Sequence, residues 1–495
     1  MPEPSEKQKK EFKQVQTIWM PEAQTSTIVM GKAGSGKTYT WIEPFLRSAI
    51  DQGFSALVYD FKDLEQAKVI ALYAIRRGYK VHYFAPGYEI TGCFNPLDSI
   101  EHSSDGVNAQ QLAKVLVKNS KGPGDSGDPF FEGAGESLVE GLFLMTKWIN
   151  EYLQANGETE RWDDLLTTAC LVGLPNLAAR LQYAIANPKY KLSRWTVQPL
   201  IQLLSTHGSG AEAEANKTET SIVATAIGVF GQFIKRDFVG AFCRTSNIPI
   251  DIDGKTLVIV GMKQISRDAI APVIATAMHL LISRNIRPSQ QRESPLVVGL
   301  DELPSVYLPN IANWLAEARS AGFTALIGIQ TYTQLVLRYG EELANIIFTN
   351  CSNKITCDPG NVDSARMMSE YLGEEEVTIT STSRSSGKNG STTTSKSQQA
   401  VAMMSTNEFL GMKRGESIAI FAGSENAKRA SVPQKLQVKI SAEDMYEVNC
   451  LKSKWDDYYA KVAKHSPQLS DDELERLFAH RVAVIEAMFP EPPPP

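Results

Sequence analysis

The sequence predicts an α/β fold: a mainly parallel sheet covered on both faces, interrupted by an inserted all-α domain. Three observations carry this. Short apolar runs alternate with helical segments over residues 26–84 and again over 256–357, the pattern of βαβ units in a parallel sheet. Between these stretches, from about residue 103 to 216, helical periodicity occurs without a convincing strand. The first apolar run feeds into Gly31-Lys32-Ala33-Gly34-Ser35-Gly36-Lys37-Thr38, which fits G-x-x-x-x-G-K-[ST], the phosphate-binding P-loop.

The elements follow in order. Residues 1–24 are a charged lead-in. Its first 13 residues are polar and lysine-rich, without the apolar core of a signal peptide, and no stretch approaches the ~20 apolar residues of a membrane span. Residues 25–30 read as a strand, and 39–43 as a helix lasting until Pro44. A strand at 56–60, a helix at 64–77 closed by Gly78, and a strand at 80–84 complete the opening βαβαβ unit. Helices are expected at 109–118, 132–153, 162–171 and 177–186, with a glycine-rich loop over 121–127 and a break at 207–210. A helix over 219–234 leads back to strands at 256–260, 296–300, 324–330 and 354–357, joined by helices at 269–284, 311–321 and 333–339. Residues 376–399 turn rich in Ser, Thr and Gly, and read either as a two-stranded excursion turning at 387–390 or as a disordered segment. A helix capped at Ser405 or Thr406 and a strand at 417–421 end the α/β body. One amphipathic helix after Asp471 precedes a proline-rich end. The divisions are 1–24, lead-in; 25–102 and 217–440, the two parts of a nucleotide-binding domain; 103–216, the insertion; and 441–495, a helical and proline-rich tail.

Composition limits the function class. The net charge of −6 argues against a surface that is basic throughout, although a basic channel inside an assembly stays compatible with it. The six cysteines, Cys93, Cys170, Cys243, Cys351, Cys357 and Cys450, contain no C-x-x-C pair. Neither a disulfide framework nor a zinc site is signalled, which suits a reducing cytoplasm.

The chemistry-bearing residues fall at strand ends. In the P-loop, glycines let successive backbone N–H groups face a phosphate, Lys37 reaches the β/γ oxygens of ATP, and the Thr38 hydroxyl sits on Mg²⁺. The run Val297-Val298-Gly299-Leu300-Asp301-Glu302 is a buried strand ending in two carboxylates. Asp301 would accept from water in the Mg²⁺ shell and Glu302 would orient the attacking water. Gln330, at the tip of the next apolar strand, can bond both that water and the γ-phosphate. Arg319, on the intervening helix, is a candidate arginine finger for a neighbouring subunit. Asp60 and Lys62 follow the second strand and point towards the same crevice.

With these residues the chain resembles the TraG/TraD type of conjugative coupling protein, an ATPase of type IV secretion within the FtsK/HerA class of hexameric motors. The matching segments, in order, are the P-loop with Trp41-Ile42-Glu43-Pro44, Tyr59-Asp60-Phe61-Lys62-Asp63, Phe94-Asn95-Pro96-Leu97-Asp98 and Asp128-Pro129-Phe130-Phe131. They continue with Leu300-Asp301-Glu302-Leu303-Pro304, Glu317-Ala318-Arg319-Ser320-Ala321-Gly322, Ile329-Gln330-Thr331-Tyr332, and Asn350-Cys351-Ser352-Asn353-Lys354. The resemblance implies a RecA-like nucleotide-binding domain, a homo-hexameric ring, and recruitment of a relaxase-bound DNA strand or of protein substrates to the secretion channel. It also implies that Lys37 and Thr38 bind nucleotide and Mg²⁺, that Asp301 and Glu302 form the Walker B pair, and that Gln330 is the sensor. The chain departs from the pattern twice. The family's N-terminal transmembrane segment is not present in the lead-in, so a separate membrane subunit would supply any tether, or the motor works free in the cytoplasm. The acidic-Pro-Lys-Gly-Glu run appears as Asp60-Phe61-Lys62-Asp63.

Three functions follow as expectations: a DNA translocase acting on single- or double-stranded DNA, with Lys235 and Arg236 as candidate pore contacts; a motor for protein substrates only; or a recruitment platform whose nucleotide controls assembly.

Overall fold

The computed structural model describes residues 17–20, 22–121, 129–206, 212–287, 292–384, 392–423, 433–466 and 469–493. The first 13 residues, the glycines after Lys121, Asp128, the break at 207–210 and the turn at 387–390 lie outside them.

The strands are β1 (Thr27–Met30), β2 (Ser55–Asp60), β3 (Lys80–Phe84), β4 (Thr256–Gly261), β5 (Leu296–Leu300), β6 (Phe323–Ile329), β7 (Asn353–Thr356), β8 (Glu374–Arg384), β9 (Thr392–Ala402), β10 (Glu416–Ile420) and β11 (Gln434–Gln437). Nine of them form one sheet in the order β11-β10-β7-β1-β6-β5-β2-β4-β3. From β7 to β3 every neighbouring pair is parallel, whereas β10 runs antiparallel to both β7 and β11. Strands β1, β2, β5 and β6 are buried at every residue. That is why they read as continuous apolar runs rather than alternating ones. Edge strand β11, Gln-Lys-Leu-Gln, is mostly exposed and carries no such signal.

The main helices are α1 (Glu43–Asp51), α2 (Ala67–Arg76), α3 (Gly106–Ser120), α4 (Pro129–Ala155), α5 (Leu165–Val172), α6 (Leu177–Ala186), α7 (Glu212–Phe233), α8 (Arg267–Asn285), α9 (Ile311–Glu317), α10 (Tyr332–Tyr339), α11 (Glu341–Asn350), α12 (Val362–Leu372), α13 (Thr406–Leu410), α14 (Ala442–Lys452), α15 (Trp455–His465) and α16 (Asp471–Met488). The sheet separates two apolar layers, because successive strand residues point to opposite faces. Ile28 and Met30 of β1 join one core with α3, α4, α5, α7 and α8. Val29 joins the other with α1, α2, α14 and α15.

Several local expectations change. Pro44 does not stop the first helix. The turn Thr38–Ile42 is wound wider than an α-helix, and Pro44 then occupies the first turn of α1, where its missing N–H costs nothing. The helix expected from residue 162 starts at Leu165, capped by the Asp164 carboxylate, which accepts from Thr167 N at 2.8 Å. Trp162 and Asp163 instead enter a buried cluster in which Lys147 Nζ donates to Asp163 at 2.7 Å. Residue 216 falls inside α7, whose Phe230 meets Phe143 of α4 edge-on at 6.2 Å, so the helical layer runs on past that position. The Ser/Thr-rich segment forms a separate antiparallel ribbon, β8–β9, in register from Glu374↔Ala402 to Arg384↔Thr392. Ser405 is the N-cap of α13, in a reciprocal capping box with Glu408.

The helix expected after Asp471 is α16, and within 441–495 two more helices, α14 and α15, precede it. Arg47 of α1 donates to Asp444 of α14 at 3.1 Å, Tyr83 of β3 donates to Tyr458 of α15 at 3.1 Å, and Arg481 of α16 donates to the buried Asp164 at 3.2 Å. The tail therefore straps the sheet to the helical layer. Helix α8 belongs to a segment, Gln264–Asn285, that is long and apolar enough to cross a membrane, yet 67% of its most apolar window is buried in the protein. Being apolar on all sides is what a helix between a sheet and a second helical layer requires.

Within that layer, burial pushes the Glu140 carboxyl up to about 7. Its folded value lies above its unfolded 4.5, so ionisation opposes folding, and the opposition grows as pH rises from 4.5 to about 7. Glu140→Gln is expected to raise the melting temperature at pH 8 by roughly 1–3 °C, discounted for partial exposure, and to leave it unchanged at pH 4. Thermal denaturation at the two pH values checks this.

Candidate nucleotide site

The loop after β1 is shaped by backbone constraints. Gly34 and Gly36 adopt φ of +80° and +100°, the left-handed region that glycine occupies without strain. Gly31 N donates to Ile329 O at 3.1 Å, and a Cβ at Gly31 would stand 2.6 Å from Ser35 Oγ. Only glycine fits there. Lys32 N donates to Asp358 O at 2.8 Å, and its ammonium pairs with the Asp358 carboxylate at 2.6 Å, pinning the loop to the end of β7. Ala33 and Gly34 are exposed at the rim. The buried Ser35 hydroxyl has no hydrogen-bond partner among the described residues. An unsatisfied hydroxyl among backbone N–H groups at a helix start fits an anionic ligand.

Parallel strands put the ends of β1, β5 and β6 side by side. Thr38 Oγ1 donates to Asp301 Oδ2 at 3.0 Å, Gln330 Nε2 donates to Glu302 Oε2 at 2.8 Å, and Lys37 Nζ stands 4.0 Å from that same Glu302 oxygen. Burial raises the Glu302 carboxyl above its ordinary value, while Lys37 and the Gln330 bond draw it back down. Lys62 adds a second cation, its Nζ lying 3.3 Å from both Thr38 Oγ1 and Asp301 Oδ2. Asp60 acts behind it. Its carboxylate accepts from Lys62 N at 2.9 Å and from Ala67 N at 2.8 Å, holding the turn that leads into α2. Burial pushes that carboxyl up to about 6. Lys37, Thr38, Lys62, Asp301 and Gln330 line a cavity of about 210 Å³, with Glu302 behind Gln330. Thr38 and Asp301 present oxygen atoms to one point, a donor set suited to Mg²⁺, which takes few protein ligands and keeps phosphate and water for the rest.

Two family models match the chain. One, described as "Type IV secretory system Conjugative DNA transfer", matches residues 5–167 and includes the P-loop. The other, "TraM recognition site of TraD and TraG", matches residues 295–414 and includes Asp301, Glu302 and Gln330. The chain belongs to the TraG/TraD type of conjugative coupling proteins. The fold of this coupling protein is also that of TrwBdeltaN70, a bacterial conjugative coupling protein in unbound form, with TM-score 0.62 at 16% identity over 88% of this chain and 91% of that one. TrwB in complex with ADP and Mg²⁺ matches with TM-score 0.60 at 15% identity over the same shares. Among curated proteins, none matches the chain in sequence.

In this coupling protein the P-loop, Asp301 and Gln330 meet in one cavity, Glu302 is held against Gln330 and Lys37 at its edge, and Arg319 does not join them. Its side chain is 55% exposed and donates to Glu22 at 3.0 Å. Arg236 lies on the surface, paired with Asp471. Among the residues unmarked in the sequence that also reach the site are Asp358, Arg414 and Lys452. Asp358 does so because β7 pairs with β1; its position at the end of an apolar strand was the available signal. Arg414 and Lys452 line the cavity from the turn before β10 and from α14, and no local pattern points to either.

Proposed function

We propose that this coupling protein is an ATP-hydrolysing motor that moves DNA towards a conjugation channel. The supporting observation is the convergence of Lys37, Thr38, Asp301, Glu302 and Gln330 at the ends of three adjacent strands. The P-loop N–H groups and Lys37 bind the phosphates. Thr38 and Asp301 would hold Mg²⁺, which offsets phosphate charge. Glu302, partly desolvated and fixed by Gln330, orients and deprotonates the attacking water. Gln330 bridges this carboxylate to the end of β6, so a change at the γ-phosphate moves a strand end. TrwB, which shares the fold, is known in complex with ADP and Mg²⁺.

The motor is a homo-hexamer in which exposed Arg319, remote from its own cavity, serves the γ-phosphate bound to a neighbouring copy. Residues 25–102 and 217–440 build the nucleotide-binding domain, 103–216 the insertion, and 441–495 the tail. The motor works in the cytoplasm, receives a relaxase-bound strand and meets the membrane through the channel or a separate subunit.

ATP turnover is expected to rise severalfold on adding single- or double-stranded DNA at low salt. A basal rate unchanged by DNA, with no DNA retained in a gel-shift assay, would remove DNA as the substrate.

A further inference from the structure

A second cavity, of about 730 Å³, continues the phosphate cradle away from the carboxylates and shares Gly36, Tyr39, Arg414 and Lys452 with it. Its character differs. Val438, Ile440, Met445 and Val448 supply an apolar wall, and Asn449 and Lys452 are the polar residues of α14 facing it. Tyr39, Ile440 and Met445 are 42%, 36% and 46% exposed, an apolar surface left open beside a charged pocket. The Lys452 ammonium stands 5.2 Å from the Tyr39 ring centroid and donates to its hydroxyl at 3.2 Å. Arg414 approaches closely: a Cβ on Gly36 would be 3.7 Å from its Cγ. The two walls are held together, since Arg47 of α1 pairs with both Asp444 and Glu447 of α14.

We propose that this groove receives the nucleobase of the bound nucleotide, stacked on Tyr39 and covered by the Met445 face of α14. The proposal rests on the nucleotide reading of the P-loop. Its occupant follows from continuity: a ligand whose phosphates lie on Gly36 and Lys37 extends past Tyr39 onto an apolar wall edged by Arg414 and Lys452. A planar aromatic ring with polar edges satisfies that wall, and the Lys452 ammonium, over one side of the Tyr39 ring and bonded to its hydroxyl, fixes the ring that the base would stack on. The C-terminal tail thereby forms half of the nucleotide site, from positions 413 residues away from Tyr39.

Calorimetric titration of the full chain with ADP and with inorganic tripolyphosphate tests this. Tyr39→Ala is expected to weaken ADP about tenfold, the scale of losing one base–aromatic stack, and Tyr39→Phe to restore it. Met445→Ala is expected to weaken ADP by a smaller factor. Tripolyphosphate, lacking a base, is expected to bind all variants equally. The inference is overturned if the parent protein binds ADP and both alanine variants bind it as well. It is equally overturned if ADP and tripolyphosphate weaken in parallel, or if the variants change only the oligomeric state, which would assign the groove to a second copy. A parent protein that binds neither ligand would instead overturn the nucleotide reading beneath it.

Discussion

Glu302→Gln is expected to bind ATP as tightly as the parent protein and to hydrolyse it at least about 100-fold more slowly, the usual range for losing a general base. The substitution keeps the shape of the side chain and an oxygen to accept from Gln330, so the 2.8 Å contact survives. What it removes is basicity. In the parent, burial makes Glu302 a stronger base than a free carboxylate, with Lys37 limiting the rise. Turnover should therefore decline on the acidic side at a pH above the ordinary carboxylate range, and the glutamine variant should lose that limb of the profile. Single-turnover hydrolysis with a parallel nucleotide-binding titration separates the two effects. A variant with near-parental turnover would show that Glu302 is not the base.

Lys37→Ala acts earlier, on binding. Its ammonium is buried, 4% exposed, and faces the cradle formed by the glycine turn. Removing a charged donor that the phosphates require is expected to weaken ADP by roughly 10–100-fold, the scale of one charge-assisted hydrogen bond. Ala also leaves Glu302 without the cation that draws its carboxyl down. The residual turnover at saturating ATP should then shift further towards alkaline pH. Titration of ADP measures the first effect and the pH profile the second. Unaltered ADP affinity would mean the loop binds through its backbone alone.

Much of the site was legible because its parts are local patterns. An apolar run followed by Gly31–Thr38, an apolar run ending in Asp301-Glu302, and an apolar run ending in Gln330 each announce a strand and what stands at its tip. Parallel pairing does the rest, since it places all such tips along one edge. Features decided by tertiary pairing were not legible. Nothing near Lys452 indicates that α14 will lie against Tyr39. That helix mixes acidic, apolar and aromatic residues, and only Val448 and Leu451 are buried. Pro44 was misread because one residue serves as helix breaker inside a helix and as a good first-turn residue at its start, and the wide turn before α1 decides which. The β8–β9 ribbon has period-2 patterning only at Val377 and Ile379, both exposed, so its polar sequence serves equally for a strand pair or a loop.

The sheet order also dictates when the protein can come into being. β1 lies between β6 and β7, and the first of these begins about 300 positions downstream. On a ribosome adding 5–20 residues per second, the strand that carries the phosphate loop waits roughly 15–60 s for either neighbour. Meanwhile Thr27–Met30 is an apolar segment with both edges open. The earliest pairing available to the nascent chain is among β2, β3 and β4, and the long sequence separation of the β1 contacts places their closure late and makes it slow. Nucleotide can therefore engage only after this closure, and would stabilise it by mass action when it does.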